Sequence, residues 1–367
     1  MDAASVTVGV EEEFILTDPE TGAPVAKNVE VARTAAELGI DLQLELTRCQ
    51  VETSTGVHSD SAELASELRL LRCGVAECAE KNGVQLLAAG IPPTVPDRFP
   101  VTDTPRYQRI AEAYGMLAHE QGLCGCHVHV AVPDRETAVL VGNFLRPWLP
   151  LFLALTANSA IYRGVDTGYA SWRSILWRRW PSAGPPPHFG SLAEYQSMVA
   201  MMQSSGSILD KKMVYWDVRP SMSFPTVEIR VSDVPATIEE TVLLATLVRA
   251  MVMTARTSLA RNISPPSVGT EVLHAAYWKS ARSGLDGDAV DPVRGRIVPV
   301  AELLTELVDY VGPALDELGD RRSVTDALAA VLARGNGAMR QLNAFRVRRE
   351  AVDVVTELAS ATLEGCR

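Results

Sequence analysis

Five short runs hold carboxylates, imidazoles and a guanidinium among residues that alternate in character. In Val8-Gly-Val-Glu-Glu-Glu-Phe-Ile-Leu16, a strand puts Glu11 and Glu13 on one face and leaves Glu12 with Val8, Val10 and Phe14 on the other. Like charges at neighbouring same-face positions repel unless they are solvated or share a divalent cation. Both readings stand for this pair, and Glu12 has no explanation at this level. Glu45 and Glu52 interrupt Leu42-Gln-Leu-Glu-Leu46 and Cys49-Gln-Val-Glu-Thr53, where a lone buried carboxylate is costly. A shared metal relieves that cost, and so does a wet strand face. In Cys124-Gly-Cys-His-Val-His129, alternation sends the two cysteines one way and His127 and His129 the other. That opposes a four-ligand zinc site and makes Cys124 and Cys126 small core residues. The histidines either join the glutamates or form a structural pair. Thr226–Asp233 repeats the logic, with Glu228 and Arg230 sharing a face as an anion-binding fork or an ion pair.

Other devices for holding nucleotides are missing. None of the five lysines stands in Gly-Lys-Ser or Gly-Lys-Thr, and there is no Gly-x-Gly-x-x-Gly. A nucleotide here needs another holder, and carboxylates binding Mg²⁺ are the evident one. The 367 residues carry 45 acidic and 34 basic side chains, a formal charge of −11, which argues against nucleic acid or an anionic membrane as partner. A local Arg pocket for a small anion is still compatible with that balance. The most apolar helical stretch, Val242–Ala255, is short for a membrane span and contains Arg249. The start, Met1-Asp2-Ala3-Ala4, has no basic region followed by an apolar run, so the expectation is a cytoplasmic protein whose six cysteines stay reduced, without disulfides.

These runs need a sheet to bring them together. Strands are predicted at Val6–Leu16, Asp41–Leu46, Cys49–Thr53, Val84–Ala88, Cys124–Val132, Val214–Val218 and Thr226–Val231. Helices are predicted from Ser59-Asp60-Ser61 to about Ala79, at Tyr107–Glu120, from Arg135 to Ile161 with a break at Pro147 and Pro150, and at Ser191–Met202. Five more follow: Thr237–Asn262, Glu271–Arg282, Ala301–Leu318, Ser323–Ala333 and Ala338–Leu363. The stretch from Tyr162 to Gly190, rich in Trp, Arg, Gly and Pro, reads as a long functional loop. Strands before residue 235 and helices after it indicate an α+β fold of antiparallel hairpins, in one domain spanning 1–367 with a strand-rich core over about 6–235.

Taken together, Gly9-Val-Glu-Glu-Glu-Phe-Ile-Leu16, Gly125-Cys-His-Val-His-Val130, Gly168-Tyr-Ala-Ser-Trp-Arg173 with Pro181-Ser-Ala-Gly-Pro185, and Trp216-Asp-Val-Arg-Pro-Ser221 with Val227-Glu-Ile-Arg230 resemble the bacterial carboxylate-amine ligases, the glutamate–cysteine ligase type 2 family. The late Arg334-Gly-Asn-Gly-Ala-Met-Arg340 fits the same family, so the resemblance covers nearly the whole chain. It implies a glutamine synthetase-like core, a curved antiparallel funnel with packed helices. It implies ATP and Mg²⁺, with Glu11, Glu13, Glu45, Glu52, His127 and Glu228 as metal ligands. Arg230, Arg173 and His129 then fall in catalytic positions, while Arg219, Arg173 and His127 face substrate. The implied reaction phosphorylates the γ-carboxylate of glutamate and forms an amide with an amine, cysteine by default or another amino acid or amine. A homodimer is implied as well. Two other classes fit parts of the pattern: a metal-dependent hydrolase built on His127, His129 and Glu52 or Glu228, and a silent ligand-binding protein.

Overall fold

The computed structural model describes residues 6–366, so the start read above as having no leader, Met1 to Ala4, lies outside the described residues. In chain order the strands are β1 (Val8–Thr17), β2 (Leu42–Leu44), β3 (Gln50–Ser54), β4 (Gln85–Leu87), β5 (Gly125–Ala131), the two-residue pair β6 (Ile161–Tyr162) and β7 (Val165–Asp166), then β8 (Val218–Pro220), β9 (Thr226–Asp233) and a hairpin of β10 (Asp288–Asp291) and β11 (Arg296–Pro299). The main sheet has the order β2-β3-β1-β5-β9-β8, with β4 pairing the far end of β1, and every pairing is antiparallel. The fold is α+β.

The helices are α1 (Asn28–Glu37), α2 (Ser61–Lys81), α3 (Pro105–Tyr114), α4 (Met116–His119), α5 (Arg135–Leu145), α6 (Leu149–Thr156), α7 (Trp172–Trp177) and α8 (Leu192–Ser204). After the main sheet come α9 (Ile238–Ala260), α10 (Thr270–Ser283), α11 (Val300–Tyr310), α12 (Gly312–Leu318), α13 (Arg321–Arg334), α14 (Gly337–Arg348) and α15 (Ala351–Thr362). Local chemistry sets several of their ends. Asp60 caps α2 by accepting from Ala62 and Glu63, and Ser171 caps α7 by accepting from Ser174. The predicted 135–161 helix divides into α5 and α6, bent by 72°, with Pro150 in the first turn of α6.

Several expectations are corrected. The predicted 107–120 helix breaks at Gly115, whose φ of 55° is open to glycine at low cost. The 301–318 helix becomes α11 and α12, and the 338–363 helix becomes α14 and α15, separated at the left-handed Arg349. Helix α1 and the β10–β11 hairpin were not expected: α1 buries only Asn28, Val31 and Ala35 and has no side-chain cap, so its sequence gives little helical signal. The 214–218 strand moves to β8, and the 162–190 loop contains a real helix, α7.

One face of the sheet is apolar. Val8, Val10, Val128, Val130, Val227, Ile229 and Val231 are buried in a core that includes α5, α6 and α9. Helix α9, at 23 residues, is long and apolar enough to cross a membrane, unlike the shorter window read from the sequence; it is mostly buried in this core. Glu12 also points to this side. There it takes a bidentate ion pair from Arg72 of α2 (2.9 and 2.5 Å) and a bond from the Thr241 hydroxyl (2.7 Å), with both charged side chains fully buried. The charge that looked misplaced in β1 therefore ties β1 to α2 and α9.

Cys73 and Cys366 form a disulfide, against the expectation of reduced thiols. The two are 293 residues apart, so sequence proximity gave no hint of the pairing. Cys49, Cys78, Cys124 and Cys126 are free and buried.

Candidate active site

The opposite face of the sheet is polar and lines a cavity of about 390 Å³. Glu11, Glu13, Glu45, Glu52, His127, His129, Arg173, Arg219, Glu228 and Arg230, the whole candidate set from the sequence, line it. Antiparallel register is what collects them. Glu11 lies opposite His127 and Glu13 opposite Glu52, while Glu228 has His129 on one side and Arg219 on the other. Glu45 follows β2 in the bend, where its carboxylate accepts from the Leu46 amide at 3.2 Å.

The contacts are close. Glu11 reaches His127 Nδ1 at 3.1 Å and His129 Nε2 at 3.3 Å, and Glu13 accepts from the Gly125 amide at 2.6 Å. His129 Nδ1 is 3.0 Å from the Thr226 hydroxyl. Glu228 is gripped by both arms of Arg219 (2.8 and 3.0 Å) and by Arg230. Arg219 also donates to the Lys212 and Val214 carbonyls. Its fork is thus engaged within the protein and orients Glu228, whereas the sequence had it facing substrate.

Burial and crowding divide the carboxylates. Burial pushes Glu52 well up, and Glu45, Glu11 and Glu13 add to it; burial and Glu13 push Glu45 up to about 8. Burial acts on Glu11 as well, but bonds and charges from His127 and His129 outweigh it and hold the group ionised far down in pH. Glu228 is also held well below the usual range: burial opposes this, and Arg219 and Arg230 overcome it. Burial and then Arg230 lower the pKa of His127, against the opposing pull of Glu11 and Glu13. Three sets of ligand atoms converge within 4.8 Å: Glu11–His129–Glu228, Glu11–Glu52–His127 and Glu13–Glu45–Glu52. The last set is all oxygen, the donor type Mg²⁺ prefers, and a cation there would keep ionised the carboxylates that burial drives towards neutrality. The residues fit a divalent ion. Cys124 and Cys126 lie fully buried and take no part in any of these sets.

A family model described as glutamate–cysteine ligase family 2 matches residues 7–358. The chain belongs to glutamate–cysteine ligase family 2. It is a ligase by that membership. A protein of Nocardia farcinica, provisionally named glutamate–cysteine ligase 2-1, is 70% identical over 366 residues, covering 100% of this chain and 95% of its own. One of Mycolicibacterium smegmatis, provisionally named glutamate–cysteine ligase 2-3, is 61% identical over 359 residues, covering 97% and 98%. Among solved structures, a Francisella tularensis glutamate–cysteine ligase in complex with AMP shares the fold at a TM-score of 0.72 and 11% identity, covering 99% of this chain and 89% of that one. A bifunctional glutathione synthetase from Pasteurella multocida gives the same TM-score at 13% identity, covering 99% and 53%.

This family member has a wall that sequence reasoning only half saw. Arg173 projects from α7, 3% exposed, with its guanidinium 5.8 Å from the Trp177 ring centroid and 3.7 Å from Asp233. Asp233 is itself held by Ser159, Ser171 and the Asn158 amide. Trp177, Trp180 and Tyr215 form an aromatic cluster beside it. The Trp-rich segment signalled this wall. Gln121, 4% exposed, also lines the cavity, and neither carboxamide atom has a partner among the described residues. No sequence pattern singled it out.

Proposed function

We propose that this chain uses ATP and Mg²⁺ to phosphorylate the γ-carboxylate of glutamate and joins the resulting γ-glutamyl group to the amine of an amino acid, with cysteine as acceptor. The observation that carries this is the continuous row of Glu228, His129, Glu11, His127, Glu52, Glu13 and Glu45 on one sheet face, flanked by Arg230 and Arg173. Bound Mg²⁺ would supply the positive charge that neutralises phosphate oxygens. Glu11, Glu13, Glu45, Glu52, Glu228 and His127 would hold it.

The remaining roles follow from charge and position. The γ-phosphoryl group moves from ATP to the carboxylate oxygen, leaving ADP. The amine nitrogen then attacks the acyl carbon, phosphate departs and the nitrogen gives up a proton. Arg230, fixed by Glu228, faces the negative charge that builds during transfer, which makes alignment and charge compensation the main contributions. Arg173, braced by Asp233, suits the carboxylate of an amino-acid substrate. His129 lies beside Glu11 and Thr226, where it can orient the transferring group. The aromatic wall of Trp177, Trp180 and Tyr215 limits water near an intermediate that water would destroy. A hydrolase reading gives Arg230 and the third carboxylate set no task.

The test is phosphate release from ATP and Mg²⁺ with glutamate, alone and with each amino acid and simple amines, with products read by mass. Cysteine-dependent release giving the γ-glutamyl mass is expected, and Glu11→Gln lowers the rate by about 10²-fold or more. Release with another amine keeps the chemistry and replaces the acceptor. No release with any acceptor overturns the reading.

A further inference from the structure

A second cavity, of about 380 Å³, lies outside the polar sheet face, walled by α6, α10, α11 and the β10–β11 hairpin. Its walls are apolar: Leu151, Ala289 and Leu303 line it, and Trp148 and Tyr310 stack at 5.5 Å between centroids with 23° between planes. One polar group is out of keeping with them. Ser280 of α10 lines the cavity, is fully buried, and its hydroxyl has no partner among the described residues. Mid-helix hydroxyls in this protein ordinarily return to the carbonyl four residues back, as Thr246, Thr254, Thr257 and Ser258 do in α9. Ser280 does not, and leaving a buried hydroxyl unmatched is costly.

The rim restricts what can enter. Arg294 and Arg296 are both bonded to Asp291 (3.1 Å each), and Arg294 also to Glu306 (2.6 Å), so the nearby charges are already matched. From the apolar volume, the flat aromatic wall and the lone unmatched hydroxyl, we propose that this cavity is a second small-molecule site. It takes an uncharged aromatic ligand carrying one hydrogen-bonding group, and its occupancy is felt at α7. The link is direct. The residue after Ser280, Ala281, accepts at its carbonyl from the Ala170 and Ser171 amides (2.8 and 3.0 Å), and Ser171 caps the helix that carries Arg173 and Trp177.

The experiment titrates the full chain with indole, and with toluene as a ring without a donor, by ligand-observed NMR. Hydrogen exchange over residues 169–177 is followed by mass spectrometry; neither measurement needs turnover, so the outcome is separable from the activity assay above. Saturable indole binding is expected, with slower exchange over 169–177 when indole is bound. Ala289→Trp, which fills the cavity, abolishes the binding. Ser280→Ala, nearly isosteric, weakens indole about fivefold and leaves toluene unchanged. No saturable binding up to the solubility limit, or binding indifferent to both substitutions, overturns the site. Saturable binding with unchanged exchange over 169–177 overturns the link to α7.

Discussion

At the scale of single residues, the site depends on what is small as much as on what is charged. Gly125 opens β5 directly beneath the Arg173 guanidinium and 3.2 Å, measured from an added Cβ, from His127 Nε2. Any side chain there displaces Arg173 or the imidazole. Gly125→Ala is therefore expected to raise KM for glutamate and lower kcat/KM about tenfold or more, because a misplacement of about 1 Å is felt strongly in an aligned site. Steady-state kinetics beside a melting curve check this; unchanged kinetics would show that Arg173 does not hold substrate. That Glu11 pairs with Glu13 and His127 with His129 on one face was legible because alternation in a strand assigns faces without knowledge of partners. Gln121 was not, since a lone glutamine has no period or motif, and its role depends on which walls surround it.

At the scale of elements, the β10–β11 hairpin is held by charge rather than by a large apolar face. Asp291, 5% exposed, accepts from the Val293 and Arg294 amides (3.0 and 3.1 Å) and from the Arg294 and Arg296 side chains. Burial raises its pKa, but these bonds outweigh it and leave the folded value below the usual carboxylate range. A folded value below the unfolded one contributes stability that is complete above the unfolded pKa and is lost as pH falls towards the folded one. Asp291→Asn should therefore cost about 1 kcal/mol at neutral pH and flatten the acid-side loss below about pH 4. Urea unfolding across that pH range measures both; an unaltered pH profile would remove Asp291 from the account. The hairpin escaped the sequence because Asp288–Pro299 lacks a long alternating run, and its turn is organised by Asp291 side-chain bonds.

At the scale of the whole molecule, chain ends and middle are tied together. The Cys73–Cys366 bond joins α2 to the end of the chain, and Arg72, next to Cys73, is the partner of Glu12 in β1. Closing a loop of 293 residues removes unfolded-state entropy worth about 6 kcal/mol in the chain-entropy model. A thiol reductant should lower the unfolding midpoint of the wild type, and Cys73→Ser should start lower and not respond. An intact mass of the unreduced protein equal to that of the all-thiol chain would refute the bond. Cysteine counting by itself could not anticipate it, because pairing depends on α15 and the residues after it packing back near α2.

The order of strands and helices gave the α+β class, alternation gave the faces of β1, β5 and β9, and the resemblance of the motifs to a family joined their carboxylates, imidazoles and guanidinium groups into one candidate site. Strand geometry alone imposes those faces. Tertiary structure decided what depends on distant partners: that Glu12 is matched by Arg72, that Arg219 is engaged by Glu228, that Gln121 and Trp177 face the same cavity as the glutamates, and that Cys73 meets Cys366. Each of these joins residues far apart in the chain or set by a cross-strand register, and only the packed fold determines which of them meet.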